Sequence, residues 1–256
     1  MYRVNANRIL EQLRPDDVVL DIGGWACPFN RANYVLDSES YESRGFYRTF
    51  GMPGSQGGER EHFTRKTWIQ RDICEKTPYP FEDKSIDFVI CSHTLEDLRD
   101  PIFVCSEMKR IGKRGYIEVP SRLAETCRGN EQSNMAGLSH HRWLVTISDN
   151  HIEFVQKFHS IHHWRNSLPS SFLRSLSDED QIECLFWEEK FTFEERFIHG
   201  LQAQSQYLQA FVDQVYPRAQ WMLALDRWYR ISESYFRRAQ RKALQLLPGA
   251  FTVIIN

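Results

Sequence analysis

The chain has 256 residues, 41% hydrophobic and 26% charged, with 13 glycines, ten prolines and six cysteines. That length and mixture fit a globular α/β domain with a sizeable core and exclude disordered, fibrous and disulfide-stapled classes. Lys and Arg number 32 against 34 Asp and Glu, a net charge of -2, so the whole molecule has no general attraction for nucleic acid or anionic membrane.

The charge is uneven. Residues 200–256 hold seven basic and three acidic side chains, a net +4, which leaves -6 on residues 1–199. This asymmetry predicts a main domain over residues 1–198 and a helical C-terminal extension over 199–256. No stretch of about 18 uncharged apolar residues occurs, and the start lacks the apolar core of a signal peptide, so a cytoplasmic location is expected. The cysteines form no CxxC pair and several sit in apolar runs, which predicts reduced, packed thiols.

Val4, Ile9, Leu10 and Leu13 among polar residues predict a short helix over 4–13, ended by the restriction that Pro15 imposes on its neighbour. Val18-Val19-Leu20-Asp21-Ile22 is a continuous apolar run closed by Gly23-Gly24, the signature of a strand buried on both faces. Tyr34–Asp37 repeats that pattern. Residues 51–58, with four glycines and Pro53, read as a mobile loop of the kind that often forms a lid. Trp68–Asp72, Ser85–Cys91 and Arg114–Val119 read as further strands, and Asp100-Pro101 as the cap and first turn of a helix between the last two.

The alternation predicts a Rossmann-like, mostly parallel sheet. Asp149-Asn150 between Trp143–Ser148 and Ile152–Lys157 marks an antiparallel hairpin, and the segment near Glu183–Phe193 adds another strand. From Gly200 to Leu247 the pattern turns helical with a break at Pro217. Trp221, Leu225, Trp228, Tyr235 and Ala239 fall on one side of that helix, with Arg230, Arg237 and Arg241 opposite. Such a face packs on the domain, forms a homodimer, meets an acidic acceptor or touches a membrane surface.

Asp21, Asp37 and Asp72 each end a predicted strand, and the ligand crevice of an open α/β sheet lies at those ends. The arrangement suits an adenosine: Asp37, 16 residues after Asp21, is placed for two ribose hydroxyls beside glycines that admit a ligand to the backbone.

Val18–Gly24, Arg71-Asp72-Ile73 and the block Pro80–Leu98 together resemble the class I S-adenosylmethionine-dependent methyltransferases over roughly residues 15–120. The resemblance implies that Asp21, Gly23 and Gly24 lie along the aminocarboxypropyl end of the cofactor S-adenosylmethionine. It further implies that Asp37 holds the ribose, that Asp72 and the Ile73 amide read the adenine edge, and that Ser92 and His93 stand near the methyl. Two departures stand out: Trp25-Ala26-Cys27 replaces the third glycine, and Leu95-Glu96-Asp97 stands where many relatives have Leu-Glu-His.

Methyl transfer is an in-line displacement that needs a base only when the acceptor must lose a proton. His93, His140 and His141 are the candidates for that work, although His140 and His141 equally suit capping of a strand start. No HExxH or Cys/His finger spacing occurs, so no metal is expected. The expected activity is methyl transfer to a small molecule or saccharide, at oxygen, with no nucleic-acid partner. The alternatives are a methyltransferase-like binding protein without turnover and a nucleotide-binding oxidoreductase, the latter disfavoured by the missing GxGxxG.

Overall fold

A computed structural model describes residues 1–219 and the single positions 228, 232, 235 and 236. In chain order the elements are α1 (Arg3–Gln12), β1 (Val19–Ile22), β2 (Tyr34–Asp37), β3 (Trp68–Gln70), β4 (Ile86–Ser92), α2 (Pro101–Ile111) and β5 (Gly112–Pro120). They continue with α3 (Arg122–Thr126), β6 (Trp143–Ser148), β7 (His151–Gln156), α4 (Ser170–Leu173), β8 (Ile182–Glu188), β9 (Thr192–Glu195) and α5 (Leu201–Val215).

The main sheet runs β3-β2-β1-β4-β5-β8, with the first five strands parallel and β8 antiparallel to β5. Because successive side chains on a strand face opposite ways, the unbroken apolar runs bury both faces. Leu20, Ile22, Leu36, Val89 and Ile117 share one core with Val104 and Met108 of α2, while Val19, Val35, Phe88, Ile90 and Tyr116 share another with Ala6 and Ile9 of α1. Asp100 caps α2 by accepting from the Phe103 amide at 2.9 Å, with Pro101 in the first turn, as its sequence demands.

The fold class is the expected one, a mostly parallel sheet with an antiparallel hairpin. The hairpin β6–β7 belongs to a separate three-stranded sheet, β6-β7-β9, whose Val145, Ile152 and Phe154 join the core on the α2 side. The antiparallel strand of the main sheet is instead β8. The single strand expected over 183–193 divides at Glu189, whose backbone is left-handed at φ 58°, so its second half passes to the smaller sheet.

Residues 56–58 are pinned rather than free. Asn30 and Arg31 donate backbone bonds to Gln56 and Gly57 at 2.6 and 3.0 Å, and Gln56 donates to Pro28 at 3.0 Å. Phe29 drives this closure because its ring is fully buried and lies against Gly57, where a Cβ would sit 2.2 Å away.

The compact units are Met1–Gln209 and Ala210–Asn256, so the boundary falls within α5 rather than at 198/199. The reason is Leu208, which is buried with Leu144, Val155 and Ile161. The predicted basic amphipathic helix lies outside the described residues except for the single positions. Among the described residues no helix is long and apolar enough to cross a membrane. All six cysteines are free thiols.

Gly115 lets the Trp187 indole lie across the sheet: a Cβ there would stand 2.2 Å from the Val89 carbonyl and 2.7 Å from the indole. Gly115→Ala is therefore expected to destabilise the fold by about 1–3 kcal/mol. A thermal melt reads this as a loss of roughly 2–4 °C per kcal/mol.

Candidate active site

At the carboxyl ends of β1, β2 and β4 lies a cavity of about 570 Å³ whose walls include Gly23, Trp25, Asp37, Phe46, Ile73, His93, Thr94, Asp97 and Leu98. Gly23 sits at φ 77° with its amide bonded to the Leu36 carbonyl at 2.9 Å, and a Cβ there would lie 2.2 Å from Thr94 Oγ1. Only glycine fits that approach.

Asp37 Oδ2 accepts from the Trp25 amide at 3.0 Å and Oδ1 from the Glu39 amide at 2.9 Å. Burial raises its carboxyl above the usual carboxylate range, against those two amides. Oδ2 keeps a lone pair for a ligand hydroxyl, whereas Oδ1 also takes the Ser38 hydroxyl at 3.5 Å, a long contact that a ligand hydroxyl can displace. The Trp25 ring stacks on Phe46 at 4.7 Å and 16°, and the Trp25 and Ala26 carbonyls accept from Gly45 and Tyr47 at 2.8 and 3.1 Å. The turn following β1 thus builds an aromatic wall.

The remaining predicted cofactor contacts separate. Asp21 lies behind the turn, where Oδ2 accepts from the Phe29 amide at 2.8 Å. Burial lifts its carboxyl to about 7, and a Cβ on Gly24 would lie 2.3 Å from Oδ2. Asp21 and Gly24 therefore shape the turn from outside the cavity wall. Asp72 lies two residues past the end of β3, half exposed, and pairs with Arg99 at 2.6 Å, which holds its carboxyl below the usual range. Ile73 alone of that pair lines the cavity. Ser92 Oγ turns to Glu118 Oε1 at 3.3 Å, again outside the lining.

A second cavity of about 350 Å³ shares Tyr47, His93, Asp97, Leu138 and His140 with the first. Its polar wall was hidden in the sequence because Glu96, Glu125 and Asp178 come from three distant segments, and behind it Glu118 holds His93. Glu118 is fully buried on β5 and accepts from the Tyr2 amide at 2.8 Å and from the Tyr116 hydroxyl. Its other close partner is His93 Nε2 at 2.9 Å. Burial raises the Glu118 carboxyl, but His93, the Met1 amino group and Tyr116 outweigh it and hold it at about 2. The signal for it in the sequence is an acid inside the apolar run Tyr116-Ile117-Glu118-Val119.

His93 occupies the left-handed region at φ 51°, with its amide on the Glu118 carbonyl at 2.8 Å. Burial pulls its imidazole down, yet Glu118 and Glu96 raise it to about 9. His93 therefore carries its proton at neutral pH and is not the neutral imidazole that a general base requires.

His141 is buried, with Nδ1 2.8 Å from Glu125 Oε2 and Nε2 3.8 Å from Asp97 Oδ1. Burial lowers its imidazole, but Glu125 raises it further. His140 is exposed and packs edge-on to His141 at 4.6 Å. Neither caps the start of β6: the Arg142 and Trp143 amides there donate to the Glu96 carbonyl at 2.7 and 3.2 Å.

Residues 46–117 match the methyltransferase domain family. The matched stretch carries β3, β4, α2 and most of β5 and begins beyond the altered glycine turn. No curated protein matches the chain. Among solved structures, a proposed methyltransferase from Haloferax volcanii, in complex with the Trm112 methyltransferase activator, is 21% identical over 45% of this chain and 51% of that one, with a TM-score of 0.32. A proposed methyltransferase from Bacillus halodurans is 19% identical over 47% and 51%, with a TM-score of 0.31. An S-adenosylmethionine-dependent methyltransferase from Methanosarcina mazei is 17% identical over 57% and 87%, with a TM-score of 0.33. The chain thus spans about half the length of the first two.

The His93–Glu118 pair gives stability a defined pH window. The raised His93 contribution is complete below about 6.5 and lost as pH rises through about 9, whereas the depressed Glu118 contribution is complete above about 4.5 and lost toward about 2. Denaturant unfolding of wild type and His93→Gln should differ most near pH 5–6, and the difference should shrink by on the order of 2 kcal/mol by about pH 9.5.

Proposed function

We propose that this chain, which carries a class I S-adenosylmethionine-dependent methyltransferase domain, transfers the methyl group to a hydroxyl oxygen of a small polar molecule such as a saccharide. The observation that carries this reading is the wall common to the two cavities, in which Tyr47, His93, Asp97, Leu138 and His140 border both. A donor in one cavity and an acceptor in the other would meet there, which is the alignment that in-line displacement requires.

The larger cavity suits the cofactor. Its volume lies in the range of small-ligand sites. Trp25, Phe46, Phe50 and Ile73 offer an apolar slot for the adenine, and the Asp37 carboxylate suits the ribose hydroxyls, Oδ2 through its open lone pair and Oδ1 in place of the Ser38 hydroxyl. When bound, S-adenosylmethionine supplies a sulfonium-borne methyl carbon open to displacement. Asp21 positions the turn below it, and His93 and Glu118 hold the exit of β4 at the common wall.

The smaller cavity presents Glu96, Asp97, Glu125, Asp178, His140 and His141, hydrogen-bonding groups suited to hydroxyls. Four carboxylates there disfavour a phosphorylated or otherwise acidic acceptor. Asp97, His140 and His141 are the groups that receive the acceptor oxygen and take up the proton it loses as the carbon–oxygen bond forms and S-adenosylhomocysteine leaves.

Calorimetric titration of S-adenosylhomocysteine tests the donor half. Asp37→Ala should weaken binding at least tenfold, about 1.4 kcal/mol, with NAD inert; failure of wild type to bind would overturn the reading. For the acceptor half, Asp97→Asn should lower kcat/KM about 100-fold on any hydroxylated compound that the wild type methylates, because misplacing one reactant by about an ångström has that effect.

A further inference from the structure

We propose that Asp97, His140 and His141 form a binding site for one divalent transition-metal ion. One carboxylate oxygen and one ring nitrogen from each histidine lie within 4.8 Å of one another. A metal at about 2.0–2.2 Å from each would draw them to about 3–3.5 Å apart, within reach of small side-chain rotations. His141 Nε2 and Asp97 Oδ1 already stand 3.8 Å apart.

His141 is presented as a ligand. Its Nδ1–H donates to Glu125 Oε2 at 2.8 Å, so that once a metal displaces the Nε2 proton the freed lone pair faces Asp97. A carboxylate behind an imidazole is the arrangement that orients metal-ligating histidines. Glu125 is itself fixed by Lys157 and by the Leu138 amide at 3.3 Å.

The surroundings also call for a cation. Among the described residues, Asp97 Oδ1 and both oxygens of Glu96 are buried with no hydrogen-bond partner. Glu96 is only 2% exposed and borders the same cavity as Asp97. Glu96 Oε1 stands 3.7 Å from His93 Nδ1, but that one imidazolium is already bonded to Glu118, so the carboxylates outnumber the positive charge beside them and a bound dication supplies the rest.

Two imidazoles with one carboxylate suit zinc, cobalt, iron or manganese better than magnesium or calcium, which favour all-oxygen shells. Three protein ligands leave positions open toward the smaller cavity, where an acceptor hydroxyl can bind the ion. That last role rests on the methyltransferase reading, whereas metal binding itself does not.

The test is titration of Co²⁺ alone into the full chain, followed by calorimetry and by visible ligand-field absorption. The expected result is one Co²⁺ per chain, weakened at least tenfold in Asp97→Asn and in His140→Ala, undisturbed by excess Mg²⁺ and unchanged in His159→Ala. His140 is exposed, so its variant keeps the test open should Asp97→Asn fail to fold. Binding that changes less than twofold in both variants, or falls equally in His159→Ala, would overturn the site. S-adenosylhomocysteine titrated into the same protein reports separately on the cofactor reading.

Discussion

A buried carboxylate cannot stay charged without donors, and Glu118 draws its donors from three parts of the chain. The Tyr2 amide comes from the approach to α1, the Tyr116 hydroxyl from the same strand, and the imidazole of His93 from the exit of β4. Asn5 of α1 donates to the Tyr116 hydroxyl at 2.7 Å and so ties that helix to the same centre. One charge thereby locks the N-terminal helix, two central strands and a left-handed residue into a single arrangement. Strained backbone at His93 persists because these contacts determine it from several sides.

The turn after β1 solves a related problem by different means. A Rossmann-like site commonly seats its ligand at a helix N-terminus. Here residues 23–33 contain no helix, and Asp21 reaches back to the Phe29 amide instead. Phe29, buried in the core, then pairs with the segment at Gln56 and Gly57, while Trp25 stacks on Phe46. Two long connections become the walls of one cavity, joined by the buried Phe29 ring against Gly57 and by the Trp25–Phe46 stack.

The placement of charge separates roles that similar residue types obscure. His93 and His141 are both imidazoles against buried glutamates, yet His93 spends its Nε2 on Glu118 while His141 keeps its Nε2 toward Asp97. The first completes the scaffold, and the second faces the space between the cavities. Asp97, the departure from Leu-Glu-His after β4, is the residue that gives this space its acidic edge.

Strand positions, the capped helix α2, the parallel sheet and the hairpin were legible in the sequence because each rests on short-range periodicity, glycine and proline geometry, or an Asp cap. The family resemblance was legible for the same reason, since its motifs sit on consecutive strands. Which acids share a cavity was not legible: Asp37 lines it, Asp21 lies beneath it and Asp72 lies outside with Arg99, although all three end predicted strands alike. Nor could spacing reveal that Asp97 meets His140, 43 positions away, or that Glu118 holds His93 charged. Local patterning depends on neighbours in the chain, and the sequence determines it directly. Burial, pairing and proton affinity depend on groups that only the folded chain brings together, and tertiary structure alone decided them.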